Sequence, residues 1–187
     1  KLFVRLIRKI DNSKVEIIQT DFNNLEKYKG SIVGNDCFFC IGTTKKNAPD
    51  KNEYRRIEYN IPVKIAQIAK SNSVNSFIYI SSLGANSNAP GDYLKNKGQV
   101  EEELKKLNFT KLAILRPSIL LGERKENRVG EKIGVFVMQL LSPLFLGNLK
   151  KIKPIKAEYV AKAMFAIAQN DYQKNVFESD QIVEVSN

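Results

Sequence analysis

IYISSLGANSNAPGDYLKNKG, the sequence of residues 78–98, contains an apolar run that ends in two serines, a loop with glycine and proline, and a tyrosine four residues before a lysine. The apolar run is typical of a buried strand, and the residues after the loop have the spacing of a helix. In a helix, Tyr93 and Lys97 lie at positions i and i+4 and therefore share one face. The stretch predicts a strand, a loop and a helix that bring these two side chains near Ser81 or Ser82.

These three groups together suggest proton transfer. A phenol has a pKa of about 10, so it serves as an acid or base at neutral pH only where a neighbouring cation stabilises its phenolate. Lys97 can be that cation for Tyr93, and a serine at the end of the strand completes a set of three. The alternative is an ordinary exposed pair on a helix, worth a few tenths of a kcal/mol.

Outward from this stretch, short apolar runs alternate with helix-like segments. The apolar runs are KLFVRLI (1–7), KVEIIQ (14–19), DCFFCIG (36–42), FIYIS (77–81) and KLAILR (111–116). The segments with helical spacing are 53–70, 92–107, 131–141 and 157–169. Because this alternation is typical of a parallel sheet covered by helices on both faces, we predict an α/β, doubly wound, mostly parallel sheet in which the five runs form one sheet. Pro62 should kink or restart the first helix.

Composition indicates one soluble domain over residues 1–187. The chain is 43% hydrophobic and 27% charged, which is ordinary for a globular protein. No apolar run reaches the roughly 20 residues that cross a bilayer, and residues 1–10 lack the pattern of a signal peptide. We therefore expect a cytoplasmic protein without a membrane partner. The formal net charge is 30 − 20 = +10, which favours anionic ligands.

The chain contains no histidine, which excludes Ser-His-Asp and Cys-His nucleophilic sites and histidine-based metal sites. Cys37 and Cys40 form a C-x-x-C motif, but a zinc site needs two further soft ligands. A thioredoxin-type pair begins a helix, whereas these cysteines lie in an apolar run that resembles a buried strand. We expect both to be thiols of the core and expect no metal site.

Ligands of a doubly wound sheet bind beyond the carboxyl ends of its strands, so the residues after each run are candidate contacts. They are Arg8 and Lys9, Gly42 to Lys46, Ser81 and Ser82, and Arg116 to Leu121. A dinucleotide site normally also has a glycine-rich turn after its first strand, and no G-x-G-x-x-G occurs in this sequence. The sequence therefore begins as though at the second strand of such a fold.

Four segments resemble the atypical short-chain dehydrogenase/reductases, in the small branch that includes the Tat-interacting protein and its bacterial relatives. They are CIGTTKKNA, YISSLGANSN, YLKNKGQVEEEL and LRPSILLGERKENRVGE, and the resemblance extends over roughly residues 1–180. It implies a Rossmann-like domain that binds NADP(H), with NAD(H) as the alternative. In the members that are enzymes, serine, tyrosine and lysine transfer a proton while a hydride is transferred.

Carried over by position, the resemblance implies roles for individual residues. Tyr93 would donate or accept the proton, and Lys97 would lower the pKa of Tyr93 and bind the nicotinamide ribose. Ser82, with Ser81 in reserve, would hold the substrate oxygen. The implied cofactor contacts are Ile41, Gly42, Tyr93, Lys97, Leu120 and Arg128.

The resemblance also implies a unit that this sequence does not show. The family's first strand, glycine-rich turn and first helix, roughly 25 to 30 residues, have no counterpart here. Since that strand is central in the order 3-2-1-4-5-6, we expect the intact protein to carry it and the sheet to show an unfilled or substituted position beside the first run. If the intact protein lacks it, the pyrophosphate cannot be held in the usual way.

Cofactor choice depends on the end of the run KLFVRLI. An acidic residue there binds the ribose 2′-hydroxyl of NAD, whereas an arginine accommodates the 2′-phosphate of NADP. Arg8 and Lys9 follow the run, so Arg8 is a cofactor-binding candidate and NADP(H) is the expected cofactor. Solvated surface charge is the alternative for both.

We predict an NADP(H)-dependent oxidoreductase acting on a small carbonyl or alcohol. The alternative is a non-catalytic nucleotide sensor or protein-interaction module, which would have a protein partner. Nucleic-acid binding, the third hypothesis, would use the charge of +10, but only KYKG places a tyrosine directly beside a lysine, and DYQK places one two residues away. We therefore expect no nucleic-acid partner.

Overall fold

The computed structural model describes residues 1–7, 10–121 and 152–187. Arg8, Lys9, Arg128 and the predicted helix 131–141 lie outside the described residues. The described strands are β1 (Leu2–Val4), β2 (Ile17–Gln19), β3 (Asp36–Phe39), β4 (Ser76–Ile80), β5 (Lys111–Arg116), β6 (Leu120–Leu121), β7 (Ile155–Lys156) and β8 (Val176–Glu178). The α-helices are α1 (Lys51–Arg55), α2 (Ile61–Ser71), α3 (Asp92–Lys106), α4 (Ala157–Gln169) and α5 (Ser179–Val185).

The strands pair in parallel, as predicted, but they do not form one sheet. β3, β4, β5 and β8 form a four-stranded sheet in that order, and β1 pairs with β2 separately. A short parallel pair, β6 with β7, stands apart from both. The expectation that the five apolar runs share one sheet is therefore wrong, because no described ladder joins β1 to β3. The expected unfilled or substituted position beside the first run stays a prediction.

Helices cover both faces of the four-stranded sheet, as a doubly wound fold requires. Side chains of β4 alternate: Phe77 and Tyr79 pack in one core cluster with residues of α2 and α3, and Ile78 packs in the other with residues of α4 and α5. Successive side chains of a strand point to opposite faces, so one strand contributes to both cores. The prediction of an α/β, mostly parallel, Rossmann-like fold is confirmed.

The segment between β3 and β4 is one helical run that changes pitch. The side chain of Asp50 accepts a hydrogen bond from the Glu53 amide and caps α1. The next five residues, Arg56–Asn60, form a π-helical turn, and α2 begins directly after it with Pro62 in its first turn. The interruption expected at Pro62 is confirmed as a change of helix type, because the π-helical turn ends just before this proline, which has no N–H to donate to the preceding turn.

Candidate functional site

The residues that follow β3 and β4 lie together at the carboxyl edge of the sheet. β3 ends at Phe39, so Gly42 and Thr43 belong to the connection that leads to α1. β4 ends at Ile80, and the loop after it returns at the start of α3. This edge is where open α/β sheets bind ligands.

Lys97 is the buried cation of this edge. It lies on α3 with 5% of its surface exposed, and its Nζ atom donates a hydrogen bond to the carbonyl of Ile80 over 3.2 Å. The same nitrogen lies 6.0 Å from the ring centre of Tyr93 and 5.0 Å from that of Tyr79. Tyr93 and Lys97 thus share one helix face, as the i, i+4 spacing predicted.

Tyr93 is the accessible member of the pair. It is the second residue of α3, and 40% of its surface is exposed. A phenol in this position can meet a ligand from solvent while its ring stays near a buried ammonium. This is the arrangement that a proton donor beside a cation needs.

A carboxylate that the sequence analysis did not single out completes the buried contact. Glu58 lies in the π-helical turn and is 1% exposed, and its Oε2 atom is 3.2 Å from Lys97 Nζ. Its Oε1 atom accepts a hydrogen bond from the amide of Thr43. Gly42 is close as well, because a Cβ atom at that position would lie 3.2 Å from Glu58 Oε1. One carboxylate therefore contacts both the lysine of α3 and the turn after β3.

The ionisation of the site follows from its burial. Burial by itself lowers the pKa of Lys97, but the interactions with Tyr79 and Glu58 outweigh it, so the pKa lies above its usual value and the amine is protonated at neutral pH. Burial raises the pKa of Tyr79 to about 12, and burial with nearby Glu58 does the same for Tyr54. Both phenols are therefore neutral at physiological pH.

Two buried polar atoms near Lys97 lack hydrogen bonds in the described part of the chain. They are the hydroxyl of Tyr79 and the Oε2 atom of Glu58. The ion pair with Lys97 is therefore the main polar contact of Glu58 Oε2. The Tyr79 hydroxyl, in contrast, has no hydrogen-bond partner among the described residues, which is rare for a buried polar atom.

The two serines after β4 differ in their partners. Ser81 is buried, and its hydroxyl donates to Glu101 Oε1 over 2.5 Å. That carboxylate also binds the guanidinium of Arg116 through both oxygens. Ser82 is half-buried, and its hydroxyl makes one long contact of 3.5 Å with the Leu83 carbonyl. The Ser81 hydroxyl is therefore already bound to a buried ion pair, whereas the Ser82 hydroxyl is placed to donate a hydrogen bond to a ligand.

The predicted cofactor contacts are only partly collected at this edge. Ile41 is half-buried against the core beside the exposed Gly42, in the turn that Glu58 contacts. Leu120 lies in β6 and packs against the core cluster of α4 and α5. Arg8 and Arg128 are outside the described residues, so their roles stay predictions.

An open cleft at the ends of β1 and β2 was not predicted. Its volume is ≈ 680 Å³, and Arg5, Leu6, Gln19, Thr20, Asp21, Asn24, Lys27 and Tyr28 line it. The size is in the range of small-molecule sites, and two cations with several hydrogen-bonding groups suit a ligand that carries phosphate and ribose. The signal was available, because Arg5 and Thr20 directly follow the two strands.

The cysteines are less buried than expected. Cys37 is half-buried in β3, and Cys40 is exposed because the strand ends one residue before it. The Cys40 Sγ atom lies 3.9 Å from the Met164 sulfur. The prediction of two core thiols is therefore wrong for Cys40. Burial nevertheless raises the pKa of the Cys37 thiol to about 12.

None of the helices at residues 1–7, 10–121 and 152–187 combines the length and apolar character needed to cross a membrane. Within the same ranges, no group of three or more acidic or cysteine side chains is placed to hold a metal ion.

Comparisons with known proteins agree with this fold. A family model described as NAD(P)H-binding matches residues 1–171. Protein FMP52, mitochondrial, of Candida albicans is 36% identical over 146 residues, which are 77% of this chain and 63% of that protein. Protein HTATIP2 of Rattus norvegicus is 34% identical over 122 residues, 65% of this chain and 49% of that protein. The chain thus spans less than two thirds of the length of either relative.

A solved structure is similar in fold. The UDP-N-acetylglucosamine 4-epimerase from Methanobrevibacter ruminantium M1, in complex with UDP-N-acetylmuramic acid, matches with a TM-score of 0.63 and 18% identity. The match covers 89% of this chain and 61% of that one. At this identity the likeness concerns the fold alone.

The comparison with curated relatives contradicts the expected cytoplasmic location. The similar FMP52 proteins, from Candida albicans and from Scheffersomyces stipitis among others, are named mitochondrial. Amino-acid composition is a poor guide to location, because targeting depends on short signals and not on the composition of the folded domain.

Proposed function

Because the chain belongs to the NAD(P)H-binding family, as an atypical short-chain dehydrogenase/reductase-like Rossmann protein, we propose that it is an NADP(H)-dependent oxidoreductase for a small carbonyl or alcohol. The observation that carries the proposal is the position of Lys97. Its buried ammonium lies 6.0 Å from the ring centre of the exposed Tyr93, at the carboxyl end of β4. In the alternative, an ordinary exposed pair on a helix, the lysine would lie in solvent, whereas Lys97 is 5% exposed.

In carbonyl reduction, Tyr93 donates its phenolic proton to the substrate oxygen. Lys97 stabilises the resulting phenolate, since an opposite charge nearby favours the ionised form. Ser82 donates a hydrogen bond to the same oxygen and orients the carbonyl. Bound NADPH would supply the hydride to the carbonyl carbon, so the products are an alcohol and NADP⁺. In alcohol oxidation each transfer runs in reverse.

The residues of the described chain fit a dinucleotide in two places. The cleft at the ends of β1 and β2 offers Arg5 and Lys27 to phosphate groups. The turn at Ile41 and Gly42 includes an exposed glycine and contacts Glu58, the carboxylate that also contacts Lys97 of α3. Arginine near the end of β1 supports NADP(H) over NAD(H), because a guanidinium pairs with a 2′-phosphate.

The test replaces Tyr93 with Phe, which removes the transferable proton and keeps the ring. We expect turnover of NADPH with a panel of small carbonyl compounds to fall about 10²- to 10⁴-fold. The dissociation constant of NADPH, from fluorescence titration, should stay unchanged, since the phenol acts in the chemical step.

Tyr172→Phe is the matched control, because Tyr172 is 38% exposed and packs at 5.5 Å against Phe177, in another part of the sheet. It should keep full turnover. Undiminished turnover in Tyr93→Phe would end the proton-transfer assignment. NADPH binding without turnover of any substrate would favour a nucleotide-binding module that performs no chemistry.

The names of the fungal relatives support a mitochondrial location. Fluorescence microscopy of the full chain fused to a fluorescent protein tests this. Signal spread through the cytosol would contradict it.

A further inference from the structure

We propose that Glu58 is a positioning residue of this site, which fixes the Lys97 ammonium and the Thr43 amide in one buried contact. The inference rests on the proposed function in that Lys97 is the cation beside Tyr93. It adds a component from a third element, the π-helical turn, to the lysine and tyrosine of α3.

The geometry shows why a carboxylate is needed. An ammonium with 5% exposure would lose its proton if nothing compensated its charge, because burial favours the neutral form. Among the described residues, the Lys97 Nζ atom donates a hydrogen bond to the Ile80 carbonyl, which is neutral, and lies 3.2 Å from Oε2 of the Glu58 carboxylate. The carboxylate therefore keeps the lysine charged where Tyr93 needs a cation.

The π-helical turn explains how the carboxylate reaches this point. In the run from Asp50 to Ser71, the π turn at Arg56–Asn60 adds a residue to the helical repeat before Pro62 begins the next helix. Such single turns change the direction of the side chains they carry and are frequent at functional sites. Glu58 points inward from this turn and is 1% exposed.

The second oxygen links the lysine to the proposed cofactor turn. Thr43 donates its amide hydrogen to Glu58 Oε1, and a Cβ on Gly42 would come within 3.2 Å of the same atom. Glycine at this position leaves room for the carboxylate. A displacement of the turn would therefore move the carboxylate that contacts Lys97. A displacement of Lys97 would likewise move the carboxylate that contacts the turn.

The other ionisable groups around Lys97 do not replace the carboxylate. Among the described residues, Tyr79 faces it from β4 and Tyr54 from α1, and burial raises the pKa of both phenols to about 12, so neither supplies a negative charge at pH 7. Tyr93 faces it from α3 and is the proposed proton donor. Glu101, which also influences Tyr79, is bound to Arg116.

The test is Glu58→Gln, measured on the cofactor-free full chain by thermal unfolding between pH 7 and pH 9.5. Glutamine keeps an acceptor for the Thr43 amide but removes the charge that faces Lys97. At pH 7 we expect the midpoint to fall by about 6 to 20 °C, as for a broken buried ion pair in a domain of this size.

The dependence on pH separates positioning from simple packing. In the natural protein the pKa of Lys97 is raised, so the stability it contributes is fully present below the unfolded pKa of about 10.4 and is lost only above it. In Glu58→Gln, burial without a counter-charge lowers that pKa, so the unfolded chain binds more protons than the folded one and stability rises with pH. The deficit should therefore shrink steadily towards pH 9.5.

Glu101→Gln is the matched control, because Glu101 is 2% exposed and its partner is Arg116, whose side chain does not titrate in this range. Its deficit should stay constant from pH 7 to pH 9.5. A constant deficit in Glu58→Gln, or none, would overturn the proposal.

If Glu58→Gln does not fold, the double variant Glu58→Gln, Lys97→Met decides. Removing both charges leaves no unpaired buried ion, so folding should return. A double variant no more stable than the single one would overturn the proposal.

These measurements need neither cofactor nor substrate. Failure of the full chain to bind NADPH would defeat the proposed function, while the pH dependence would still decide the role of Glu58.

A separate measurement uses the cofactor. With NADPH bound, the basic limb of the pH–turnover profile should move to lower pH in Glu58→Gln and stay in place in Glu101→Gln.

Discussion

Replacing Gly98 with alanine should destabilise the protein, although alanine favours helices. Gly98 is buried in the middle of α3, where alanine is normally better than glycine by about 1 kcal/mol. A Cβ at this position would lie 2.2 Å from the Asn86 carbonyl carbon and 2.3 Å from the Ser87 nitrogen. These are backbone atoms, so no rotamer change relieves the contact.

The size of the effect follows from that distance. Carbon atoms rest at about 3.5 to 4.0 Å, so the loop and the helix must separate by about 1.3 Å or more. Overpacking of this kind costs about 1 to 3 kcal/mol, occasionally more, and here the backbone of two elements must move. Because backbone of both elements must move, we take the upper part of this range, about 2 to 3 kcal/mol. Subtracting the propensity gain of about 1 kcal/mol leaves a net loss of about 1 to 2 kcal/mol, a fall in melting midpoint of about 2 to 8 °C.

Circular dichroism during heating, with urea titration for the free energy of unfolding, measures this change. Gly30→Ala is the control, because Gly30 lies in the 3-10 helix Leu25–Ser31 and a Cβ there would meet nothing within 4 Å. It should be neutral or stabilise by up to about 1 kcal/mol. Equal or greater stability of Gly98→Ala would refute the close approach of the loop to α3.

The remaining predictions concern the cofactor and the thiols. The full chain should bind NADP(H) more tightly than NAD(H), and Arg8→Ala should remove most of a difference of about ten- to a hundredfold, measured by calorimetry with Arg5→Ala for comparison. An unchanged preference in Arg8→Ala would show that the 2′-phosphate binds elsewhere. Because burial raises the pKa of Cys37 to about 12, iodoacetamide at pH 8 should modify it far more slowly in the folded protein than in urea. Equal rates by mass spectrometry would contradict its burial.

The sequence determined the elements that local pattern controls. The short apolar runs predicted the parallel strands. The segments with 3.6-residue spacing predicted the helices α3 and α4 close to their observed ends, because burial of one helix face imposes this period on the apolar residues. The i, i+4 rule placed Tyr93 beside Lys97, since both lie on one helix. The first two strands proved short, and Cys40 fell outside β3, because strand ends depend on which ladder partners are present.

Glu58 could have been found from the sequence. It lies on the apolar stripe that Tyr54, Ile57 and Ile61 form along the helical run, and all four are buried. A carboxylate on a buried stripe requires a partner. The pattern gives that requirement but not the partner, because Lys97 is 39 positions away and the π turn shifts the helix face.

The choice between Ser81 and Ser82 shows where sequence information ends. Adjacent residues of an extended chain point to opposite sides, so one of the two had to face inward, and the sequence could not say which. Tertiary structure decided it, because the Ser81 hydroxyl donates its hydrogen bond to Glu101 of α3. The same carboxylate oxygen is bound by Arg116 of β5. Likewise, which strands share a sheet depends on hydrogen bonds between segments far apart in the chain. Local pattern determined the elements of this protein and the tyrosine–lysine pair, whereas the buried charges around the pair come from long-range packing.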